Sequence, residues 1–174
     1  MNSPVKSAPE RDESPYAKLS VLERQVVGFF VDGVRVLGLP KSLGEIYGLM
    51  FVAPEPLSLD DVVDKLNLSK GSASQGLRML RKLGALKEVN GHGGRRTLYQ
   101  PDVDLKRLVG GFIREEVRPH LESGKGKVGE LLTLASREED KVLRKHYRSR
   151  MLKLEAWMTR GRIVLPLLQR MLGE

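Results

Sequence analysis

Residues 58–84 read SLDDVVDKLNLSKGSASQGLRMLRKLG, and their pattern decides the fold. Ser58 stands where a helix cap belongs, with Asp60 and Asp61 in the first turn, where the helix dipole favours negative charge. Val62, Val63 and Leu66 supply one apolar side. Asn67 and Leu68 then make a tight turn to Ser69, the expected cap of a further helix that runs to about Leu83. Two short helices joined by a turn of this length form a helix-turn-helix.

On a helical wheel at 100° per residue, Ala73, Leu77, Leu80 and Gly84 fall on one side of the second of these helices. Gly71, Gln75, Arg78 and Lys82 fall on the other. The first set is core. The second is polar and basic, with a small residue near the helix start, where backbone can approach a phosphate. Gln75 has the fork to read adenine in a major groove, and Arg78 the fork to read guanine. Ser72 and Ser74 suit phosphate or base contacts, and Lys70, Arg81 and Lys82 suit backbone contacts that position without specifying. Residues 69–96 hold seven Lys or Arg against Glu88 alone, whereas residues 54–68 hold four acids against Lys65. Positive charge therefore gathers on the candidate recognition helix and on the segment C-terminal to it. The plainer reading of such a face is solvated charge.

Downstream, Ala85–Val89 and Arg95–Gln100 read as two strands around the turn Asn90, Gly91, His92, Gly93 and Gly94, a β-hairpin. Arg95 and Arg96 leave its tip, where a wing arginine enters a minor groove; taken singly, each also reads as an exposed turn charge. Upstream, Leu19, Leu22, Val26, Phe29 or Phe30, Gly33 and Leu37 recur at helical spacing, stopped by Gly38 and Pro40. A further helix is expected from Ser42, with Glu45 completing a capping box, until Pro54 and Pro56. Beyond the hairpin, Asp102 and Asp104 open a helix through Leu105, Leu108, Phe112 and Ile113 that ends or kinks near Pro119. Ser123–Gly126 reads as a loop, a helix continues from about Lys127 to Ala135, and Ser136 with Glu139 caps a last long one. The fold class is mainly α with a small β-hairpin wing, a winged helix-turn-helix flanked by dimerisation helices. Residues 1–15 form a polar, proline-containing tail, residues 16–122 the DNA-binding domain with its first helix, and residues 123–174 a helical dimerisation region.

The run LPKSLGEIYGLMFVAPEPLSLDDVVDKLNLSKGSASQGLRMLRKLGAL resembles the glycine-betaine-synthesis-repressor branch of the MarR-type winged-helix regulators, and the likeness extends into LVGGFIREEVRPHLESG. It covers roughly residues 20–125, with SKGSASQGLRMLRKLGA its most specific part. The resemblance implies a homodimeric DNA-binding regulator, often a repressor, whose flanking helices build the dimer. It also implies a choline-like effector; Phe29, Phe30, Tyr47, Phe51, Phe112, Tyr147 and Trp157 are the aromatics available for a cage, and no combination of them singles one out. One departure stands out: MarR-type wings carry an aspartate shortly before the tip arginine, and this chain has Gly94 there.

The 174 residues carry a formal net charge of +8, which favours an acidic partner such as double-stranded DNA. There is no cysteine, so disulfides and thiolate metal sites are excluded. No apolar run approaches a membrane span, and a cytoplasmic protein without a membrane partner is expected. His92, His120 and His146 share no metal-ligand spacing, and no nucleophile or acid–base pair has a recognisable setting. Neither an enzyme nor a cofactor is expected. In the last helix Met151, Leu154, Met158, Gly161, Leu165, Leu168 and Leu172 step by 3 and 4, the seam of a coiled-coil-like contact. Leu154, Met158, Leu165 and Leu168 are the expected dimer residues, although packing within the chain gives the same pattern and Pro166 interrupts a straight coil. The function expected is a sequence-specific transcriptional regulator, a repressor open to ligand control; the competing reading is a winged helix used for protein contact or chromosome organisation.

Overall fold

The computed structural model describes residues 16–90 and 96–171. The tail 1–15, the hairpin turn Gly91–Gly94 with Arg95, and Leu172 lie outside them. The described residues fall into two compact units, one from residues 16–78 with 88–90 and 96–101, the other from 79–87 with 102–171.

The first unit is built on α1 (Val21–Val36), α2 (Lys41–Val52) and α3 (Leu59–Leu66). Ser20 caps α1, its hydroxyl accepting from the Glu23 N–H while the Glu23 carboxylate accepts from the Ser20 N–H. Gly38, at φ +69°, closes it, with Leu39 N–H donating to Val34 and Gly38 N–H to Arg35. The buried side of α1 is Val27, Phe30, Val31 and Val34. The stripe read from the sequence meets this buried side at Leu19 and Phe30, whereas Leu22, Phe29 and Leu37 on it are exposed, Phe29 at 69 %. Both stripes have helical spacing, so periodicity marks the helix without saying which side faces in.

α2 is covered almost all round, with Leu43 through Met50 consecutively buried. It lies against α1 because it carries Gly44 and Gly48 one turn apart. A Cβ on Gly44 would sit 2.6 Å from Val31 Cα, and one on Gly48 2.8 Å from Val27 Cα. The expected capping box at Ser42 does not form. α2 starts at Lys41 behind Pro40, whose backbone is held at φ −58°, and no side chain caps it. Glu45 is instead buried, accepting from Lys41 Nζ at 2.7 Å and from the Tyr16 hydroxyl. Burial and the Glu45 hydrogen bond raise the Tyr16 pKa, and the hydrogen bonds to Glu45 and Tyr16 raise that of Lys41.

Strand β1 (Leu57–Ser58) has only two residues and no periodicity from which to be read. It pairs antiparallel with β3 (Thr97–Pro101), Leu57 opposite Tyr99 and Ser58 opposite Leu98, in a sheet ordered β1–β3–β2 with β2 spanning Leu86–Asn90. The hairpin expected around the glycine-rich turn is therefore the wing of a three-stranded sheet.

In the second unit, α5 (Leu105–Phe112) runs through a π-helical turn (Ile113–Val117) into α6 (Arg118–Ser136), and α7 (Lys141–Met171) comes last. The break expected at Pro119 is this π-turn. Proline has no N–H to donate and crowds the carbonyl four residues back, and the Arg118 N–H reaches instead to Ile113. The loop expected at Ser123–Gly126 is helical, part of one continuous α6. Gly124 is buried there, and a Cβ on it would lie 1.9 Å from Met158 Cε of α7. Ser136 ends α6, its hydroxyl donating to Leu132; α7 is capped by Asp140, which accepts from the N–H groups of Val142 at 2.7 Å and Leu143 at 3.0 Å. Among the described residues no helix is long and apolar enough to cross a membrane.

Candidate nucleic-acid interface

The helix-turn-helix forms as read. Ser58 Oγ accepts from the Asp61 N–H at 3.3 Å while Asp61 accepts from the Ser58 N–H at 2.8 Å and from its hydroxyl at 2.6 Å. These bonds hold the Asp61 carboxyl below its usual range. Val62 and Leu66 are buried, and Asn67 adopts φ +52°, the left-handed turn that redirects the chain. Ser69 then accepts from the Ser72 N–H at 3.1 Å and opens α4 (Lys70–Lys82).

Ala73, Leu77, Leu80 and Leu83 anchor α4, none more than 2 % exposed. Lys70, Gly71, Gln75, Arg78 and Lys82 are exposed, and Ser72 and Ser74 half-buried. Gly76 completes the inner side, where a Cβ would meet Ile46 Cδ1 at 2.4 Å. The burial thus rotates α4 so that Gln75 and Arg78 point away from the core, as the wheel places them.

The basic residues differ in how they are held. Lys70 Nζ lies 3.5 Å from Asp60. Lys82 Nζ lies 3.4 Å from Glu115 and 3.8 Å from Glu116, both in the π-turn. Lys87 is bound to Asp102 at 3.1 Å, together with Arg107 at 3.4 Å. Lys87 and the Asp104 N–H hold the Asp102 carboxyl low. Among the described residues Arg78 meets no carboxylate, and its guanidinium reaches Ser74 Oγ at 3.5 Å. Arg96 is exposed at the start of β3, and its charge helps keep Asp61 ionised. Counting charges along the chain gives Lys70, Lys82 and Lys87 equal weight with Arg78, and it misses Glu115, Glu116 and Asp102 because those lie far away in sequence. Arg95 lies outside the described residues.

The aromatic residues weighed for a cage divide. Phe30 meets Tyr47 edge-on at 4.9 Å between ring centres and Phe51, tilted by 53°, at 5.2 Å, which is core packing. Tyr147 and Trp157 are exposed on α7. Among the described residues no group of three or more His, Asp or Glu is placed to hold a metal.

Over 103 residues the chain is 26 % identical to the HTH-type transcriptional repressor GbsR of Bacillus subtilis (strain 168). The chain is similar to a helix-turn-helix repressor. The match takes in 59 % of this chain and 57 % of GbsR, so it spans little more than half the length of that relative. A solved structure described as that of a transcriptional regulator is 23 % identical, covering 82 % of this chain and 95 % of its own, with a TM-score of 0.49. No family model matches the chain.

The expected dimer residues sit on α7. Met158 and Leu165 are half-buried and turned towards α6, next to Gly124 and Leu121. Leu154 and Leu168 are exposed, at 38 % and 44 %.

Proposed function

We propose that this chain is a sequence-specific DNA-binding transcriptional regulator, a repressor, that works as a homodimer. The observation that carries the reading is the outward side of α4, where Gln75 and Arg78 stand exposed while Ala73, Leu77 and Leu80 lock the opposite side. A helix carrying an arginine that meets no carboxylate among the described residues, and a glutamine one turn away, suits bidentate reading of guanine and adenine in a major groove. Ser72, Ser74, Gly71 and Lys70 line the same helix for phosphates, Lys82 serves there when it leaves Glu115 and Glu116, and Arg95 and Arg96 extend the contact from the wing. The similarity to a protein named as a transcriptional repressor supports this use of the fold. Residues 16–122 would then be the DNA-binding part and residues 123–174 the dimerising part. Leu154 and Leu168, with Met158 and Leu165 beside them, form the dimer seam, and a two-fold axis would set two recognition helices about 34 Å apart on an inverted repeat.

Selection of bound fragments from the source genome, and then anisotropy titrations on a selected and a shuffled duplex, test the reading. Gln75→Ala and Arg78→Ala should each cost about 1–3 kcal/mol on the selected duplex and little on the shuffled one. Equal losses on both would remove the assignment of base reading to α4. A wild type with no sequence preference at all would leave the protein-contact reading in its place.

A further inference from the structure

From Lys141 to Leu154 the chain reads KVLRKHYRSRMLKL, with six Lys or Arg and no acid. All of it is α7. Lys141, Arg144, Lys145 and Arg148 fall within an arc of about 100° on that helix. They frame an open hollow on its surface, continued by Ser149, Leu152, Lys153 and Ala156. Lys141, Lys145 and Arg148 are exposed and Arg144 half-buried, and among the described residues none of the four forms an ion pair. The nearest acid in sequence, Asp140, accepts from the N–H groups of Val142 and Leu143 and is close enough to Arg144 to be influenced by its charge.

We propose that this face of α7 is a second phosphate-contacting surface for duplex DNA, separate from α4. The inference rests on the reading of the chain as a DNA-binding protein. Like charges one helical turn apart, as in Lys141 with Lys145 and Arg144 with Arg148, destabilise a helix, and a polyanion lying along it reverses their sign of effect. From Lys141 to Arg148 the helix advances about 10.5 Å, a length over which a duplex offers about six phosphates at one per 1.7 Å of axis. A small anion would need the side chains to converge on a point; a row along one helix suits an extended partner. A membrane surface is the other polyanion to weigh. The exposed apolar side of α7, with Leu143, Tyr147, Leu154 and Trp157, lies roughly opposite the basic arc. Lipid insertion of that side would turn the four charges away from the headgroups, whereas a helix packed on it leaves them free for DNA.

The test uses the full chain with Lys141→Gln, Arg144→Gln, Lys145→Gln and Arg148→Gln together, which lowers the formal net charge from +8 to +4. A control with the same loss of charge carries Lys125→Gln, Lys127→Gln, Arg150→Gln and Arg160→Gln, on α6 and on other sides of α7. Binding to a random duplex is titrated between about 50 and 200 mM salt. The α7 variant should reduce the slope of log affinity on log salt by about 2–4 per chain, at roughly 0.9 per lost contact, and the control by less than about 1. Lys145→Gln with Arg148→Gln alone should give about half the effect, which guards against a fold defect in the fourfold variant. Equal slopes for the α7 variant and the control overturn the proposal. So does an α7 variant that binds DNA like the wild type but no longer sediments with phosphatidylcholine–phosphatidylglycerol vesicles. If the α7 variant loses slope while Arg78→Ala keeps the wild-type sequence preference, the surface stands and the reading of α4 falls. If the wild type binds no duplex, both fall.

Discussion

Replacing Gly111 by alanine tests how the end of α4 is held. A Cβ on Gly111 of α5 would lie 1.8 Å from the Leu83 carbonyl oxygen, 2.6 Å from its carbonyl carbon and 2.9 Å from its Cα. Non-bonded heavy atoms settle at about 3.5–4.0 Å, so the shortfall to the oxygen is roughly 1.5 Å or more. All three atoms are backbone, so no rotamer change relieves it. Two terms oppose each other. Alanine in a helix interior gains about 1 kcal/mol over glycine. Overpacking costs about 1–3 kcal/mol and occasionally more, and a backbone collision this deep belongs at or above the top of that range. The net expectation is a loss of about 2 kcal/mol or more.

The displaced atoms belong to the stop signal of α4. Gly84, at φ +74°, donates its N–H to Arg81 at 2.9 Å, and Ala85 donates to Leu80 at 2.9 Å. Moving Leu83 therefore disturbs both bonds, and DNA affinity should fall together with stability. Urea unfolding monitored by helical circular dichroism, at one fixed protein concentration, reads the change. Gly126→Ala is the matched control: it is in α6 with nothing within 4 Å of a new Cβ, and should gain up to about 1 kcal/mol. A Gly111→Ala protein as stable as the wild type would refute the claim that this close approach fixes the end of α4.

Three further outcomes are expected. Lys82→Ala should weaken selected and shuffled duplexes alike, and Glu115→Gln with Glu116→Gln should strengthen both at low salt by freeing Lys82; anisotropy titrations that show a sequence-dependent effect of Lys82 would contradict its assignment to phosphate. Leu154→Glu with Leu168→Glu should give monomers in sedimentation velocity without unfolding, since both side chains are exposed in the single chain; a variant that stays dimeric removes the seam. The Asp61 carboxyl is held low by Ser58, so its contribution to stability is present above the ordinary carboxylate range and is lost as pH falls through its lowered pKa. Asp61→Asn should accordingly flatten the acid side of a thermal-melt profile while lowering stability at neutral pH, and an unchanged acid limb would show that the capping box contributes nothing there.

How legible each part was in the sequence depends on whether its cause is local. Ser58, Asn67 and Ser69 act on residues within three positions of themselves, and the helix-turn-helix they define forms as read. The orientation of α4 was also legible, because its apolar residues mark a single side. α1 has two apolar stripes, and only the glycines of α2, Gly44 and Gly48, decide that Val27 and Val31 face inward. Ser42 and Glu45 have the spacing of a capping box, yet Glu45 is claimed by Tyr16, 29 residues away. Ser123–Gly126 has the composition of a loop and is helix because α7 packs against Gly124. In the site itself, Glu115, Glu116 and Asp102 hold Lys82 and Lys87 through contacts that no spacing announces.

α7 is long and, among the described residues, thinly covered. It runs 31 residues, about 46 Å at 1.5 Å per residue, and among them none is fully buried. α6 packs along it, and the buried residues of α6 are Gly124, Val128 and Ala135, two of them among the smallest side chains. That contact takes the side of α7 carrying Met151, Met158 and Leu165. Leu143, Tyr147, Leu154, Trp157, Val164, Leu168 and Met171 succeed one another at steps of 3, 4 or 7 along a neighbouring side, all exposed, Trp157 at 69 %. Stability in a helix comes chiefly from packing an apolar face rather than from propensity, and Pro166 subtracts a hydrogen bond from this one. A stripe of that length and regularity matches the side chains of another helix far better than it matches water. The same stripe on a second chain, related by a two-fold axis, would supply that helix without any further partner.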